Sequence, residues 1–326
     1  MSTYRQSFES YINGFYSKKG EGFTHTRIGD NQLNIKGGVY SIDNENEEKF
    51  YEKYRKHLFK DRKQEFLTEK QHLEAGPLCV DFDFRYESEI EDRQHTEDHI
   101  TDMVNSYITN IDNIYDIPEG TKIPVYIMEK DDVNTSLENV TKDGIHMIFG
   151  IHTERGVHIM LRNKMIRELS DMWDDLPLIN TWEEVLDEGI VNGTTNWQLY
   201  GSRKPGNSAY MLKYNYLLSK GDEDTWYCEK IPVTKFDWEN KFVHLTVRYK
   251  GHQKFTIRDD VRSEYDMIVQ SMKNKTSGTK SKGKMRMANR DNHINVSEIT
   301  CQDELDAAVE HFVEELETKD YEIKET

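Results

Sequence analysis

The stretch GPLCVDFDFRY, residues 76–86, constrains the fold most, because it reads as a buried strand that carries two carboxylates in its middle. Alternate side chains of a strand share a face, so Val80, Phe82 and Phe84 should enter a core while Asp81 and Asp83 point together to the other side. Ionised carboxylates are costly to bury without a positive partner. Two of them on one rigid face suit Mg²⁺ or Mn²⁺, which prefer oxygen ligands. The alternative is an ordinary strand with one solvated face.

A second polar group lies in KDGIHMIF, residues 142–149. His146 should project from the face opposite the apolar residues of this strand, so it would reach the carboxylates if the two strands are neighbours. Lys142 and Gly144 would then offer a cation and a backbone without a side chain to a triphosphate, and Arg85 shares the carboxylate face. The alternative is a histidine that is satisfied on a half-buried strand.

The third group is VLDEGIVNGTTNWQLYGSRKPG, residues 185–206, which adds a third carboxylate, Asp187, and a basic pair, Arg203 and Lys204. The alternative is a surface turn that follows an acidic stretch. None of the three groups is specific alone.

Hydrophobic periodicity predicts an α+β chain with the order β-α-β-β-α-β, typical of ferredoxin-like or RNA-recognition-type sheets. The predicted strands are 78–84, 122–130, 144–152 and 209–218, with a further strand at 196–201. The predicted helices are 90–111 and 154–173. Residues 1–75 should form a separate α/β module with a charged helix over 46–70, and 76–220 the RNA-recognition-like module.

Charge divides the chain unevenly. The net charge is −17, but eleven acidic residues against two lysines lie in 297–326, so the rest carries about −8. We expect a catalytic domain over 1–255, a basic flexible linker over 256–295 and an acidic amphipathic helix over 296–326. The linker holds candidate nucleic-acid contacts. These are Lys273, Lys275, Lys280, Lys282, Lys284 and Arg286.

The remaining composition favours an intracellular protein that is neither secreted nor inserted in a membrane. There is no long apolar run, the N-terminus lacks the apolar core of a signal peptide, and three distant cysteines do not form a disulfide framework. Zinc is not expected, because Cys228, His252, His293 and Cys301 lack the short spacings of a structural site.

Taken in order, LCVDFDF, KDGIH and LDEGIVNGTTNWQLYGSRK resemble the three motifs of the archaeo-eukaryotic primase superfamily, over roughly residues 20–220. The N-terminal segments GFTHTRIGDNQLNIKGGVYSI and FLTEK look like the start of primase modules that precede a helicase in large DNA viruses. The resemblance implies a primase fold with the active site between its two modules. It implies metal-binding, catalytic carboxylates at Asp81, Asp83 and Asp187. It implies nucleotide contacts by His146, Lys142 and Lys204. Gly144, Arg203 and Arg85 are further candidates for nucleotide binding. One departure is Gln198, where primase-polymerases have an arginine.

The implied activity is template-directed nucleotidyl transfer, which makes primers on single-stranded DNA from nucleoside triphosphates with two Mg²⁺ or Mn²⁺ ions. The implied partners are the DNA template and a replicative helicase, fused or separate. Two alternatives are a nucleotide-sugar glycosyltransferase, whose DxD motif also holds a cation, and a non-catalytic RNA-recognition-type module. The first has no need of the His146 segment, and the second would show aromatic residues where bases stack.

Overall fold

The computed structural model describes residues 7–18, 21–222 and 225–281, with backbone alone for 275–281. The helices are α1 (Phe8–Ile12), α2 (Asn44–Arg55), α3 (Glu97–Ile114), α4 (Arg155–Met172), α5 (Trp182–Val185), α6 (Glu188–Val191) and α7 (Arg262–Ser281). The strands are β1 (His25–Arg27), β2 (Gly38–Tyr40), β3 (Leu67–Glu69), β4 (Ala75–Tyr86), β5 (Tyr115–Asp116), β6 (Lys122–Glu129), β7 (Asn134–Leu137), β8 (Val140–Glu154), β9 (Trp197–Gln198), β10 (Met211–Lys220), β11 (Trp226–Lys230) and β12 (Thr256–Ile257).

The central sheet has the strand order β11-β10-β6-β8-β4, with β7 paired to β8, and all its pairs are antiparallel. The sequence β4-α3-β6-β8-α4-β10 confirms the predicted β-α-β-β-α-β order and the α+β class. The last strand, β10, lies beside β6, whereas the ferredoxin-like arrangement places it beside the first strand. This leaves β4, with its carboxylates, at the edge of the sheet.

The two faces of β4 divide as its alternation predicts. Val80, Phe82 and Phe84 are buried on one face in the core that contains α3 and α4. Cys79, two residues before Asp81, is buried on the other face in a second core with α2 and residues 236–247. The apolar side chains therefore anchor β4, while Asp81 and Asp83 stay on the face shared with the N-terminal module.

The N-terminal module is a small sheet with the order β2-β1-β3-β9. Its last strand comes from the third sequence motif, so the two modules are interleaved. The predicted helix over 46–70 was too long, because α2 passes into a π-helical turn at Lys56–Lys60 and the chain then reverses. Arg62 adopts a left-handed conformation with φ 52° after this turn. The reversal places β3 antiparallel to β1.

Residues 256–281 are structured, which corrects the expected flexible linker over this part. β12 pairs with β5, and α7 packs Tyr265 and Ile268 against the core of α3 and α4. Gly156 on α4 permits the close approach, since a Cβ there would lie 2.8 Å from the Tyr265 ring. The remainder of the predicted linker and the acidic helix over 296–326 lie outside the described residues.

Within the described residues, no helix is both long enough and apolar enough to cross a bilayer.

Candidate functional site

A cavity of about 420 Å³ lies between β4 and β8 of the central sheet and β3 and β9 of the small sheet. It brings together residues from all three sequence motifs. Among them are the predicted site residues Asp81, Asp83, Lys142, His146, Asp187 and Lys204. The opposite wall is neutral and polar, because Thr68, Asn196 and Gln198 line it. The Asn196 amide donates to the Thr68 hydroxyl at 3.3 Å.

The pairing of β4 with β8 explains why the first two motifs meet. The register places Asp81 opposite His146, Asp83 opposite Gly144 and Arg85 opposite Lys142. Side chains of directly opposed residues share a face. Asp81 Oδ1 accordingly lies 3.4 Å from His146 Nε2, as expected if the strands are neighbours.

His146 is held between two aromatic rings. Its imidazole stacks on Tyr210 with centroids 3.6 Å apart and contacts Trp197 at 4.2 Å. Burial, with Lys130 and Lys204 nearby, lowers the pKa of His146 well below its usual value. The imidazole is therefore neutral at physiological pH, and the stacked rings fix its orientation.

The third carboxylate, Asp187, is placed in the site by the short helix α6, whose N-terminus it caps. The Asp187 backbone N–H donates to the Asp81 carbonyl at 3.1 Å, and Asp187 Oδ1 caps α6 by accepting from the Ile190 N–H at 2.6 Å. Burial, followed by the charges of Asp187 and Asp83, raises the pKa of Asp81 to about 8. Lys204 and Lys130 oppose this rise. The cavity is thus a place where carboxylates repel one another and a cation would relieve the repulsion.

Asp83 is engaged by basic side chains in the present arrangement. Its Oδ2 lies 3.4 Å from Arg85 Nη2 and 3.9 Å from Lys142 Nζ. Among the described residues, no three His, Cys, Asp or Glu side chains already surround a point that would hold a metal. The donor set nevertheless fits Mg²⁺ or Mn²⁺ by its chemistry, since the carboxylates of Asp81, Asp83 and Asp187 line one cavity.

The loop at 199–204 carries Lys204 into the cavity. Tyr54 fixes this loop by donating its hydroxyl to the Tyr200 carbonyl at 2.9 Å, and Ser202 Oγ accepts from the Leu67 N–H at 3.0 Å. Gln198, where a basic residue was expected, lines the cavity and donates to the Ser202 carbonyl. It therefore supports the loop that presents Lys204.

The two arginines among the candidate nucleotide contacts, Arg85 and Arg203, do not line the cavity. Arg85 lies beside Asp83 and Glu184, and the Arg203 N–H donates to the Glu65 carbonyl. Lys130, the residue after β6, lines the cavity instead, and no local pattern distinguishes it from other lysines of the chain. Its ammonium lies 4.8 Å from the centre of the Tyr210 ring.

Lys130 is positioned by a buried polar cluster. Arg93 donates to the Lys130 carbonyl at 2.8 Å, to Asp143 at 2.9 Å and to Glu129. Because Arg93 joins β6 to β8, it fixes the strand end from which Lys130 extends. Burial and the charge of Lys204 lower the pKa of Lys130, while Asp81, Asp143 and Asp83 oppose the shift.

Gly144 serves packing in this structure. A Cβ at this position would lie 2.5 Å from the Phe82 carbonyl and 2.7 Å from the Tyr210 hydroxyl. The absence of a side chain thus lets Tyr210 reach β8 and stack on His146.

The predicted nucleic-acid contacts fall at or beyond the end of the described chain. Lys273 lies on α7 with an exposed side chain. Lys275 and Lys280 are on the same helix with backbone alone described, and Lys282, Lys284 and Arg286 lie outside the described residues.

Two comparisons with known proteins show which family the chain resembles. The family described as C962R protein N-terminal AEP domain, where AEP denotes archaeo-eukaryotic primase, matches residues 29–216. A stretch of 207 residues, 62% of the chain, is 30% identical to the candidate helicase L207/L206 of Acanthamoeba polyphaga mimivirus. That stretch covers 21% of the relative, so the chain matches about a fifth of the longer protein.

Proposed function

The chain belongs to the archaeo-eukaryotic primase family represented by the C962R N-terminal domain, and on that premise we propose that it is a DNA primase. It would synthesise primers on single-stranded DNA by template-directed nucleotidyl transfer. The observation that supports this most is the cavity, which is lined by four carboxylates, three lysines and the histidine His146. Nucleotidyl transfer needs these two kinds of group, one for cations and one for phosphates.

The carboxylates of Asp81, Asp83 and Asp187 would hold the divalent cations, Mg²⁺ or Mn²⁺. When bound, such cations lower the pKa of an attacking hydroxyl and neutralise charge on the transferring and leaving phosphates. Asp81 and Asp83 project from one strand, so their spacing is fixed by the sheet. Asp187 is held by its backbone bond to the Asp81 carbonyl, which keeps the third carboxylate beside the other two.

The basic side chains would bind the triphosphate of the incoming nucleotide. Lys130, Lys142 and Lys204 enter the cavity from three different segments. Ammonium groups make charge-assisted hydrogen bonds to phosphate, which are roughly twice as strong as neutral ones. His146 is neutral and would donate one N–H to a phosphate oxygen while Tyr210 and Trp197 hold its ring in place. It would not act as a general base.

The neutral wall formed by Thr68, Asn196 and Gln198 would face the parts of the substrate that carry no charge. The remaining partners are a single-stranded DNA template and a replicative helicase, fused or separate. The helicase expectation is supported by the name of the longer mimivirus relative, of which this chain matches about a fifth.

A primer-synthesis assay on single-stranded DNA tests this proposal, with labelled nucleotides and Mg²⁺ or Mn²⁺. We expect Asp81→Ala and Asp83→Ala to lower product formation by at least about 10³-fold, since the cations would lose their ligands. The matched control is Asp171→Ala, an exposed aspartate on α4. Normal synthesis by Asp81→Ala, or no synthesis by the wild type on any template, would contradict the proposal.

A further inference from the structure

A second charged site lies at the opposite end of β4 from the carboxylates. It is a groove of about 560 Å³ formed by residues 70–75, by His152 at the end of β8, and by residues 248–254. Its basic residues come from all three segments. They are Lys70, His72, His152, Arg248, Lys250 and Lys254.

The strand register separates this groove from the catalytic cavity. His152 is paired with Pro77, and His146 with Asp81, so the two sites are four residues apart along β4. At about 3.4 Å per residue this is roughly 13 Å. Cys79 and Ile148 are buried between them in the second core. The groove is therefore a separate site.

The charges of the groove are only partly balanced. Its lining includes a single acidic residue, Glu74, and Arg248 also pairs with Glu47 at 3.1 Å. Burial and the charges of Arg248 and Lys250 lower the pKa of His72. Lys250 and Lys254 are exposed, so in a protein of net charge −17 they present positive charge to solvent.

The floor of the groove is fixed by two buried arginines. Arg155 donates to the His72 carbonyl at 2.6 Å and to the Leu73 carbonyl at 3.5 Å, and Arg248 donates to the Lys70 carbonyl at 3.1 Å. A segment held by such bonds keeps its conformation when a ligand arrives, which lowers the entropic cost of binding.

From these observations we infer that the groove binds the sugar-phosphate backbone of a single-stranded nucleic acid. Cations drawn from two segments, Lys70 and residues 248–254, match a row of phosphates better than one phosphate group. Leu73 lies in the same groove with 59% of its surface exposed, and it offers an apolar contact to a base. The choice of nucleic acid over another polyanion rests on the proposed function, whereas the charged groove itself does not. The strand would be contacted here in addition to the catalytic cavity.

Fluorescence anisotropy with labelled oligothymidylate and oligouridylate, in EDTA and without nucleotide, tests this inference. The variant is Lys250→Gln with Lys254→Gln. The control is Lys164→Gln with Arg167→Gln, which removes the same charge from α4 on the other face of the sheet. We expect the groove variant to bind roughly 10-fold more weakly in about 0.1 M salt, and its log–log salt slope to fall by about 1.4 for two lost phosphate contacts.

Equal affinities and slopes for the groove variant and the control would overturn the inference. A loss with both strands supports recognition of the shared backbone, and a larger loss with one identifies the preferred strand. Primer synthesis by the wild type is measured in parallel. Absence of synthesis together with a groove-dependent loss of binding would contradict the proposed function and leave this inference standing.

Discussion

Asp81 and His146 face each other across the β4–β8 ladder, with Asp81 Oδ1 3.4 Å from His146 Nε2. The register that creates this contact also sets Asp83 beside Gly144 and Arg85 beside Lys142. A register slip of one residue would move all the side chains of the slipped strand to the opposite face of the sheet. The pairing of these two strands therefore decides whether the cavity exists.

Replacing Asp81 by Asn should stabilise the protein in the absence of divalent cations. Burial, Asp187 and Asp83 raise the pKa of Asp81 from 3.8 to about 8. A group whose pKa is raised in the folded state contributes stability that is complete below its unfolded pKa and is lost as the pH rises through its folded pKa. In EDTA, the thermal midpoint of the wild type should therefore fall relative to that of Asp81→Asn between about pH 4 and pH 8.

Added Mn²⁺ at pH 8 should raise the wild-type midpoint and leave that of Asp81→Asn nearly unchanged, because binding to the folded state alone is stabilising. Asp171→Asn, on the exposed face of α4, serves as the control and should follow the wild type. If the thermal midpoints of wild type and Asp81→Asn changed in parallel with pH, Asp81 would not be the source of the repulsion between the carboxylates.

His146 should act without changing its charge. Burial, Lys130 and Lys204 lower its pKa well below the usual value. The plot of kcat/KM against pH should therefore show no change between about pH 5.5 and 7.5 that is caused by titration of His146. His146→Ala should raise KM for the nucleotide about 10- to 100-fold, because a hydrogen bond to a charged phosphate is worth about 1.5–3 kcal/mol. The measurement is the pH profile of both proteins. A change in kcat/KM near pH 6.5 that is present in the wild type and absent in the variant would contradict a neutral role for His146.

Lys130 should contribute to nucleotide binding although it belongs to none of the three motifs. Lys130→Gln should raise KM for the nucleoside triphosphate about 10- to 100-fold, because a hydrogen bond to a charged group is worth about 1.5–3 kcal/mol. Lys130→Arg should recover part of the loss, since it restores charge. Lys63→Gln, an exposed lysine, is the control. A KM equal to that of the wild type in Lys130→Gln would remove Lys130 from the site.

The candidate site was more predictable than its surroundings, for a physical reason. The alternation of side chains within β4 and β8 shows which face Asp81, Asp83 and His146 occupy even before the fold is known. The two-residue period of a strand is fixed by its backbone. Lys130 follows a buried strand as an ordinary lysine would, and only the packing of Tyr210 and Arg93 brings it inward. Such tertiary placement leaves no local pattern to read.

The ends of elements were the least predictable features. The charged run after α2 has good helix formers, yet the chain turns at Arg62 so that β3 can join β1. The basic composition of residues 273–290 indicated a linker, whose predicted start was residue 256, but Tyr265 and Ile268 recur at helical spacing and are packed on the core. In both segments tertiary contacts outweighed the local composition.

Arg155 should be necessary for stability, because it joins the floor of the basic groove to the end of α6, the short helix that follows Asp187. Its guanidinium is buried and donates to the His72 carbonyl at 2.6 Å and to the Val191 carbonyl at 2.9 Å. Arg155→Met keeps much of the volume but leaves these carbonyls without a donor, at about 1–3 kcal/mol for each buried group. We expect a loss of roughly 3 kcal/mol in the free energy of unfolding, measured by urea denaturation. Arg167→Met, exposed on the same helix, should change it by less than about 0.5 kcal/mol. Equal stability of the two variants would show that the backbone of 71–73 holds its position without Arg155.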